Sequence, residues 1–445
     1  MCDEIFGEEN FAATFVIKSN PRGSQSNAYS ASVHEYALCY LKNFQQVDYL
    51  TISLSERMIE EYKSEDENGK YRLLGLRQRG GAWRRSERPL LFFPIFISEK
   101  DGSIALERTE VHQYKVLPIK PTTEEEGSWR WSRKKIVENI SQVIGKIVQR
   151  EGEETWDVFQ KNYLLNSDGE QKGTKAKTLW DEKDFNYQNG TNEVKELFNG
   201  RNIFDFPKPT SLQKRMVELI TATDSSSIVL DFFSGSCPTA HAVLDLNKED
   251  NGNRKFIMIQ LPEPCDEKSE AYKAGYKTIA DIGKERIRRV IKKIKKEKEE
   301  TLDFGESKQD LGFKVFKLDK SNFKIWDGNV EEKPIQEQLA FAIDHIDPNS
   351  KEDDILYEIL IKSGFELTTP VETLSLEGKK VYSVAEGALL ICLEMNLTTE
   401  LIRAIAKMEP QRVVCLDSGF EGNDQLKTNA VQIMKSFDVE SFRTV

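Results

Sequence analysis

No two of the six cysteines form a CxxC pair, and only four histidines occur in 445 residues. Neither a disulfide framework nor a zinc site is therefore available to organise the fold, and no metal is expected; reduced thiols fit an intracellular protein. Long apolar runs are also missing. The longest, LLFFPIFI at 90–97, falls well short of the roughly 20 residues that cross a bilayer. The opening MCDEIFGEENF is acidic and has no apolar export segment, so a soluble cytoplasmic protein with no membrane partner is expected. Positive charge is not in excess either: 63 basic residues face 74 acidic ones, a formal net charge of -11. That excludes a protein that coats nucleic acid through bulk charge, and confines any DNA contact to local basic patches.

What is present divides into segments. A chain of this length exceeds what one core organises, so two or three domains are expected. Residues 1–45 hold a short helical start and a run ending in HEYALCYLKN, whose Tyr36–Leu41 stretch reads as a buried strand; an opening this abrupt suggests a missing beginning. Residues 46–195 look polar and irregular, with the charge clusters SEDENGK, TTEEEG and EGEE, a Gly80–Gly81 pair, and islands rich in arginine and tryptophan. This composition suits an inserted region better than a compact core. Residues 196–305 alternate strand, glycine-bearing turn, helix, strand and helix, which is a βαβ pattern. Residues 306–445 read as a separate α/β module, with an acidic helix near 335–345 and another at 353–362.

The most informative stretch is IVLDFFSGSCPTAHAV, Ile228 to Val243. Apolar residues on both sides of Asp231 predict a strand buried on both faces, as in a parallel sheet. Ser234, Gly235 and Ser236 then form a tight turn that brings backbone close to a ligand and points helix N-terminal amides at it, suiting an adenosine-type cofactor. The next strand, RKFIMIQLPE, ends in Gln260 and Glu263, at about the spacing that sets an acid on ribose hydroxyls. Glu263 is the preferred ribose ligand. Taken alone, such a turn also suits any α/β domain.

The order of the segments adds a resemblance. NIFDFPKPTSLQKRMVELI followed by VLDFFSGSCPTAHAVLDLNKEDNGNRKFIMIQLPEP is similar to motifs X, I and II of the β class of amino-methyltransferases. MCDEIFGEENF, HEYALCYLKN, RQRGGAWRRSERPLLFFPIF and the stretch from LGFKVFKLDKSNFKIWDG to LKTNAVQIMKSF resemble the modification subunit of type III restriction-modification systems over nearly the whole chain. The resemblance implies an α/β fold: a Rossmann-like S-adenosylmethionine-dependent methyltransferase core, an inserted target-recognition region, and a C-terminal α/β module. It implies methyl transfer from S-adenosylmethionine to adenine N6 in duplex DNA, homodimerisation, and a restriction (helicase-nuclease) subunit as partner. It makes Asp231, Phe232, Ser234 and Gly235 the cofactor loop, while Phe206, Lys208, Pro209 and Thr210 close over the methionine end. A Lys-Pro pair ahead of a helix also has a bland explanation, since proline often starts helices. Cys237 and Pro238 depart from the family's Gly-Thr; an added Cβ and a missing N–H are expected to weaken the amide cradle.

Holding a flipped adenine and aiming its amine at the methyl needs an aromatic platform and hydrogen-bond acceptors. The family supplies these in Asp-Pro-Pro-Tyr, and that tetrapeptide does not occur here: NPRG at 20, KPTS at 208, EPCD at 263 and DPNS at 347 all lack the second proline and the aromatic. No catalytic residue is assigned, and an upstream stretch that carries the motif is expected to be absent or to be a separately encoded N-terminal fragment. The competing reading is a non-catalytic recognition and docking subunit. An RNA methyltransferase shares the cofactor motifs, but the long insert and the tail argue against it.

Two basic islands point to DNA. The first sets Arg72, Arg77, Arg79, Arg84, Arg85 and Arg88 around Trp83; the second, GSWRWSRKK, holds Trp129, Arg130, Trp131, Arg133, Lys134 and Lys135. Arginine forks suit phosphates and guanine edges, and tryptophan can stack on a base. Arg77, Arg79, Trp83, Arg84, Arg85, Trp129, Arg130 and Lys134 are therefore the expected DNA contacts, against the alternative of a solvated loop. In the basic helix at 284–298, Ile287, Val290, Ile291 and Ile294 form one apolar stripe, the mark of an ordinary surface helix packed on a sheet. His34 and His241 read as structural.

Overall fold

Alternating apolar residues in FAATFVI send Phe15 and Ile17 to one side of a strand, and the structure builds its first sheet on them. In this computed structural model β1 (Phe11–Ile17) pairs antiparallel with β2 (Glu35–Tyr40) and parallel with β3 (Leu179–Trp180), in the order β3-β1-β2. The structure describes residues 1–23, 28–47, 50–150, 152–167, 169, 171–222, 224–300, 309–323 and 346–445, and the chain divides into two units, Met1–Leu311 and Gly312–Val445. The stretch expected to be a buried strand does form β2, but as an edge: Tyr36 and Leu38 are more than half exposed.

A second sheet of the same unit consists of β4 (Ile228–Asp231) and β5 (Lys255–Met258), paired in parallel. Four helices frame it: α1 (Tyr187–Leu197), α2 (Thr210–Thr221), α3 (Pro238–Asp250) and α4 (Ile279–Glu300). Helix α2 serves both sheets. Leu212 and Leu219 enter the core of the first with Phe15, Ile17 and Trp180, and Val217 packs with Val243, Leu246, Val229 and Phe256 beneath the second. The expectation that β4 is buried on both faces is not met. Val229 turns inward, whereas Ile228 and Leu230 are each 54% exposed, because no described element covers that side.

The middle of the chain is more ordered than its composition suggests. Strands Ser64–Asp66, Gly69–Gly75, Glu153–Tyr163 and Val143–Arg150 form an antiparallel sheet in that spatial order, and Ile95–Ile97 lies between Ile104–Ala105 and Tyr114–Val116 in a second. Leu76, Ile95, Ile97, Trp129, Ile136 and Val158 make a fully buried core. The expectation of an irregular, coreless segment is thus corrected. Its apolar residues are spread over short strands far apart in sequence, so they dilute locally and gather only in space.

The second unit is built on five strands, β6 (Val371–Leu376), β7 (Lys379–Val384), β8 (Leu389–Cys392), β9 (Arg412–Cys415) and β10 (Ser441–Thr444), in sequence order, antiparallel up to β8 and parallel beyond it. Helix α5 (Glu352–Lys362) covers one face through Ile355, Leu356, Ile359 and Leu360; α6 (Thr399–Ala406) and α7 (Asp424–Ser436) cover the other. The acidic helix expected near 335–345 lies outside the described residues. Among the described residues no helix is long and apolar enough to cross a membrane, and no cluster of histidine, cysteine and acidic side chains could hold a metal.

Candidate cofactor site and nucleic-acid interface

The turn after β4 is tied down by its own side chains. Asp231 accepts the Phe233 amide at 3.1 Å and the Thr239 hydroxyl at 2.6 Å, one from each side of the loop. The Ser234 amide and hydroxyl both donate to the Ile259 carbonyl at the end of β5, at 3.2 and 3.1 Å. Gly235 turns with φ 50, and a Cβ there would meet only the Phe204 ring, at 3.5 Å, so a ligand can come close to this backbone. Its amide donates to Gln260 Oε1 at 2.7 Å, and the Cys237 amide donates to the Ser234 carbonyl at 2.7 Å. With proline at 238, the amide cradle is thus mostly satisfied internally, the Phe233 and Gly235 amides by side chains and the Ser234 and Cys237 amides by carbonyls. Cys237 caps α3 in the left-handed region at φ 58, a conformation that costs a residue with a Cβ about 1 kcal/mol, and burial pushes its thiol pKa up. Gly283 of α4 faces it so closely that a Cβ would lie 2.6 Å from the Cys237 sulfur.

The expected FPKPT motif splits in two. Phe206 is 86% exposed and sits at φ 56, and Glu263, five residues past β5, is exposed as well. Lys208 instead pairs with Glu35 at 2.9 Å and lies 3.8 Å over the Tyr187 ring, while burial and the hydrogen bond to Glu35 hold the Tyr187 hydroxyl far above its ordinary pKa. Pro209 precedes α2, and Thr210 is buried with its amide and hydroxyl on Glu193 Oε2 at 2.9 and 2.7 Å. Gly190 of α1 is required here, because a Cβ would press on the Pro207 carbonyl at 2.2 Å.

A residue not singled out in the sequence joins the two motifs. Arg286 of α4 is wholly buried; its guanidinium donates to Ser236 Oγ at 3.2 Å on the loop after β4 and to Thr210 Oγ1 at 2.9 Å at the start of α2, with Glu193 at 3.4 Å. Its signal was its position: four residues after Ile282 and four before Val290, it falls on the apolar stripe. His241 lies against the same group, 3.4 Å from Arg286 and 3.1 Å from Thr210 Oγ1, and burial together with Arg286 brings its pKa down to about 3. On its other side Asp245, 3.4 Å away, is raised to about 6 by burial. As expected, Ile287, Val290, Ile291 and Ile294 face inward.

The expected DNA contacts also divide. Trp129 is 0% exposed with its indole N–H on the Phe93 carbonyl at 2.8 Å, so its face is closed to a base. Arg77 is paired with the buried Asp157, which also takes Arg150, and lies over Trp129. Trp129 is corrected to a core residue, while Arg77 is partly buried and reaches the cavity beside it: an arginine-tryptophan island has the same composition whether it faces water or packs inward. On the surface, Arg79 and Arg130 line an open cavity of about 370 Å³ with Arg77, Gln78, Leu74, Gly75 and Gly80. Trp83 is half-buried between Arg84 and Lys120, each 4.9 Å from its ring. Arg85 pairs with Glu126 at 2.8 Å over Phe92, and Lys134 is exposed near Glu138.

A strand, a glycine turn and a helix, coupled to a second loop through a buried arginine, make up the candidate site on an α/β methyltransferase type of fold. Comparison agrees: residues 1–271 match the N6/N4 DNA methylase family, and the chain belongs to it. It is 30% identical to the EcoPI Mod subunit, a type III restriction-modification enzyme of Escherichia phage P1, over 98% of this chain and 66% of that protein. It is 29% identical to the Escherichia coli EcoP15I Mod subunit over 98% of this chain and 65% of the relative. Against the type II methyltransferase M.KpnI of Klebsiella pneumoniae it is 32% identical over 63% of each. The chain thus spans slightly less than two thirds of the length of these curated relatives.

Proposed function

We propose that this chain carries the cofactor-binding and DNA-reading parts of an adenine-N6 DNA methyltransferase, the modification subunit of a type III restriction-modification system, with S-adenosylmethionine as methyl donor. The observation that carries the reading is the Ser234–Gly235 turn, open above Gly235 and braced from Thr210 through Arg286. When bound, S-adenosylmethionine supplies an electrophilic methyl on a sulfonium. Gly235 backbone would meet its methionine end beside the Phe206 loop, and Glu263 its ribose hydroxyls. The middle segment is the inserted target-recognition region, with Arg79, Arg84, Arg85, Arg130, Lys134 and Trp83 toward duplex DNA. The C-terminal unit serves the restriction subunit, and the methyltransferase works as a homodimer.

The alternative of a docking subunit completed by a separately encoded fragment is not favoured, because residues 1–271 match the DNA methylase family and 98% of the chain aligns with a Mod subunit. Calorimetry with S-adenosylmethionine and a tritiated-methyl assay on duplex DNA test the reading. Cofactor heat is expected, and its absence refutes the enzymatic reading. DNA affinity that falls steeply with salt and exceeds that for structured RNA is expected of the basic surface.

A further inference from the structure

The cavity at the end of the strand Gly69–Gly75 is lined by Arg77, Arg79, Arg130 and Gln78, and among the described residues no carboxylate lines it. Its volume of about 370 Å³ is that of a small ligand cleft. Gly75 seats two of the arginines: a Cβ there would lie 3.2 Å from Arg79 Nη2, and its carbonyl accepts Arg130 Nη1 at 3.3 Å. Arg77 is already engaged. It pairs with Asp157 and donates to the Leu117 carbonyl at 3.2 Å. Arg79 makes no hydrogen bond or ion pair among the described residues, so its fork is free in a chain whose net charge is -11. Gln78 Nε2 donates to the Gly80 carbonyl at 2.7 Å, which fixes the orientation of the amide and leaves Oε1 an acceptor without a donor among the described residues. The backbone beneath is tied together. The Gln78 amide donates to the Ser128 carbonyl at 3.0 Å and the Arg130 amide to the Leu76 carbonyl at 2.8 Å, beside the core that holds Leu76 and Trp129.

A free guanidinium fork beside a fixed acceptor matches one edge of a duplex. In the major groove guanine offers O6 and N7, which both accept, and its cytosine offers the N4 amine, which donates. Adenine puts a donor beside its N7, so one arm of an arginine fork would meet no acceptor there. A phosphate offers acceptors alone, and Gln78 Oε1 would gain nothing from it. We infer that this cavity is a base-reading site for a G·C pair: Arg79 donates to O6 and N7, Gln78 Oε1 accepts from cytosine N4, and Arg130, tethered through Nη1, neutralises the adjoining phosphate. The inference rests on the reading of the middle segment as the DNA-reading region, and goes beyond it in naming the base pair and the side chains that select it. It does not depend on methyl transfer.

Selection of duplexes from a random pool by the full chain defines its preferred site, and each guanine of that site is then replaced by 7-deazaguanine, which keeps Watson-Crick pairing but lacks the N7 acceptor. At one guanine the replacement should weaken binding about tenfold, the size of a single base contact. Arg79→Ala should lower affinity for the site about tenfold and abolish the effect of that one replacement, while the other guanines keep theirs. Arg79→Lys retains the charge, so it should retain the salt dependence and still lose the preference for guanine. Gly75→Ala, which presses on Arg79 Nη2, should reproduce the loss in part. Arg79 is exposed, and equal melting temperatures check that its variants fold. The proposal is overturned if the preferred site holds no such guanine, if Arg79→Ala weakens all duplexes alike or changes nothing, or if every 7-deazaguanine penalty persists in that variant. Failure of the unaltered chain to prefer any duplex sequence sinks the DNA-reading role of the middle segment as well.

Discussion

Two parallel strand pairs of this chain have the same length and similar aliphatic sequences, but different surroundings. In β8 and β9, Leu389, Leu390, Ile391 and Cys392 are each no more than 1% exposed, because α5 covers one face and α6 and α7 the other. In β4 and β5 only the face toward α2 and α3 is covered, and the opposite aliphatics meet water. The C-terminal unit therefore completes its own sandwich, whereas the β4–β5 sheet has half of one among the described residues. An aliphatic strand states only that it should be buried; how much burial it receives depends on which elements are there to cover it.

The comparison can be broken most directly by placing a charge on each sheet. Leu390→Asp should cost the C-terminal unit about 4 kcal/mol or more, because a carboxylate would enter a closed core, while Leu230→Asp in the isolated chain should cost less than about 0.5 kcal/mol. Urea unfolding of both variants checks this, and equal losses would end the distinction.

The covered side of the cofactor sheet should be as demanding as the C-terminal core. Arg286→Met removes the shared partner of Ser236, Thr210 and Glu193, and about 3 kcal/mol of stability should go with it. Arg286→Lys, with charge but no fork, should recover only part. Thermal melting with and without S-adenosylmethionine reads both losses. A smaller effect is expected at the α4 contact: Gly283→Ala drives a methyl into the Cys237 sulfur, for about 2 kcal/mol. Cys237→Gly in the same chain should return most of it, since it removes both the sulfur and the left-handed strain.

The smallest effect is a pH dependence. His241 titrates near 3 in the folded chain, so below its ordinary pKa of about 6.5 the unfolded chain binds a proton that the folded one refuses, and acid destabilises. Asp245 opposes it, because its folded carboxyl takes a proton near 6, before the unfolded one does. Between roughly pH 6 and 4 the two nearly cancel. Melting temperature should then hold to about pH 4 in the unaltered protein and begin to fall from about pH 6.5 in Asp245→Asn. Identical profiles would show that the pair is not coupled to folding.

Much of the site could be read in advance. The βαβ pattern, the Gly235 turn and the apolar stripe of α4 depend on local spacing, and local spacing is what strands, turns and helices obey. Arg286 was overlooked because an arginine on an apolar stripe looks like an imperfection until Thr210 and Ser236, 76 and 50 residues away, are seen to meet it. Trp129 was assigned to DNA for the converse reason: its burial depends on Phe93, which lies far away in the chain.

Order of motifs, turn chemistry and family membership were determined by the amino-acid sequence alone, because each is a property of neighbouring residues. Only the tertiary structure decided which arginines face water and which pair with buried carboxylates, that the middle segment has a core, and that one side of the β4–β5 sheet is bare among the described residues. Those outcomes turn on solvent exclusion, which is set jointly by elements distant in the chain and cannot be assigned to any of them singly.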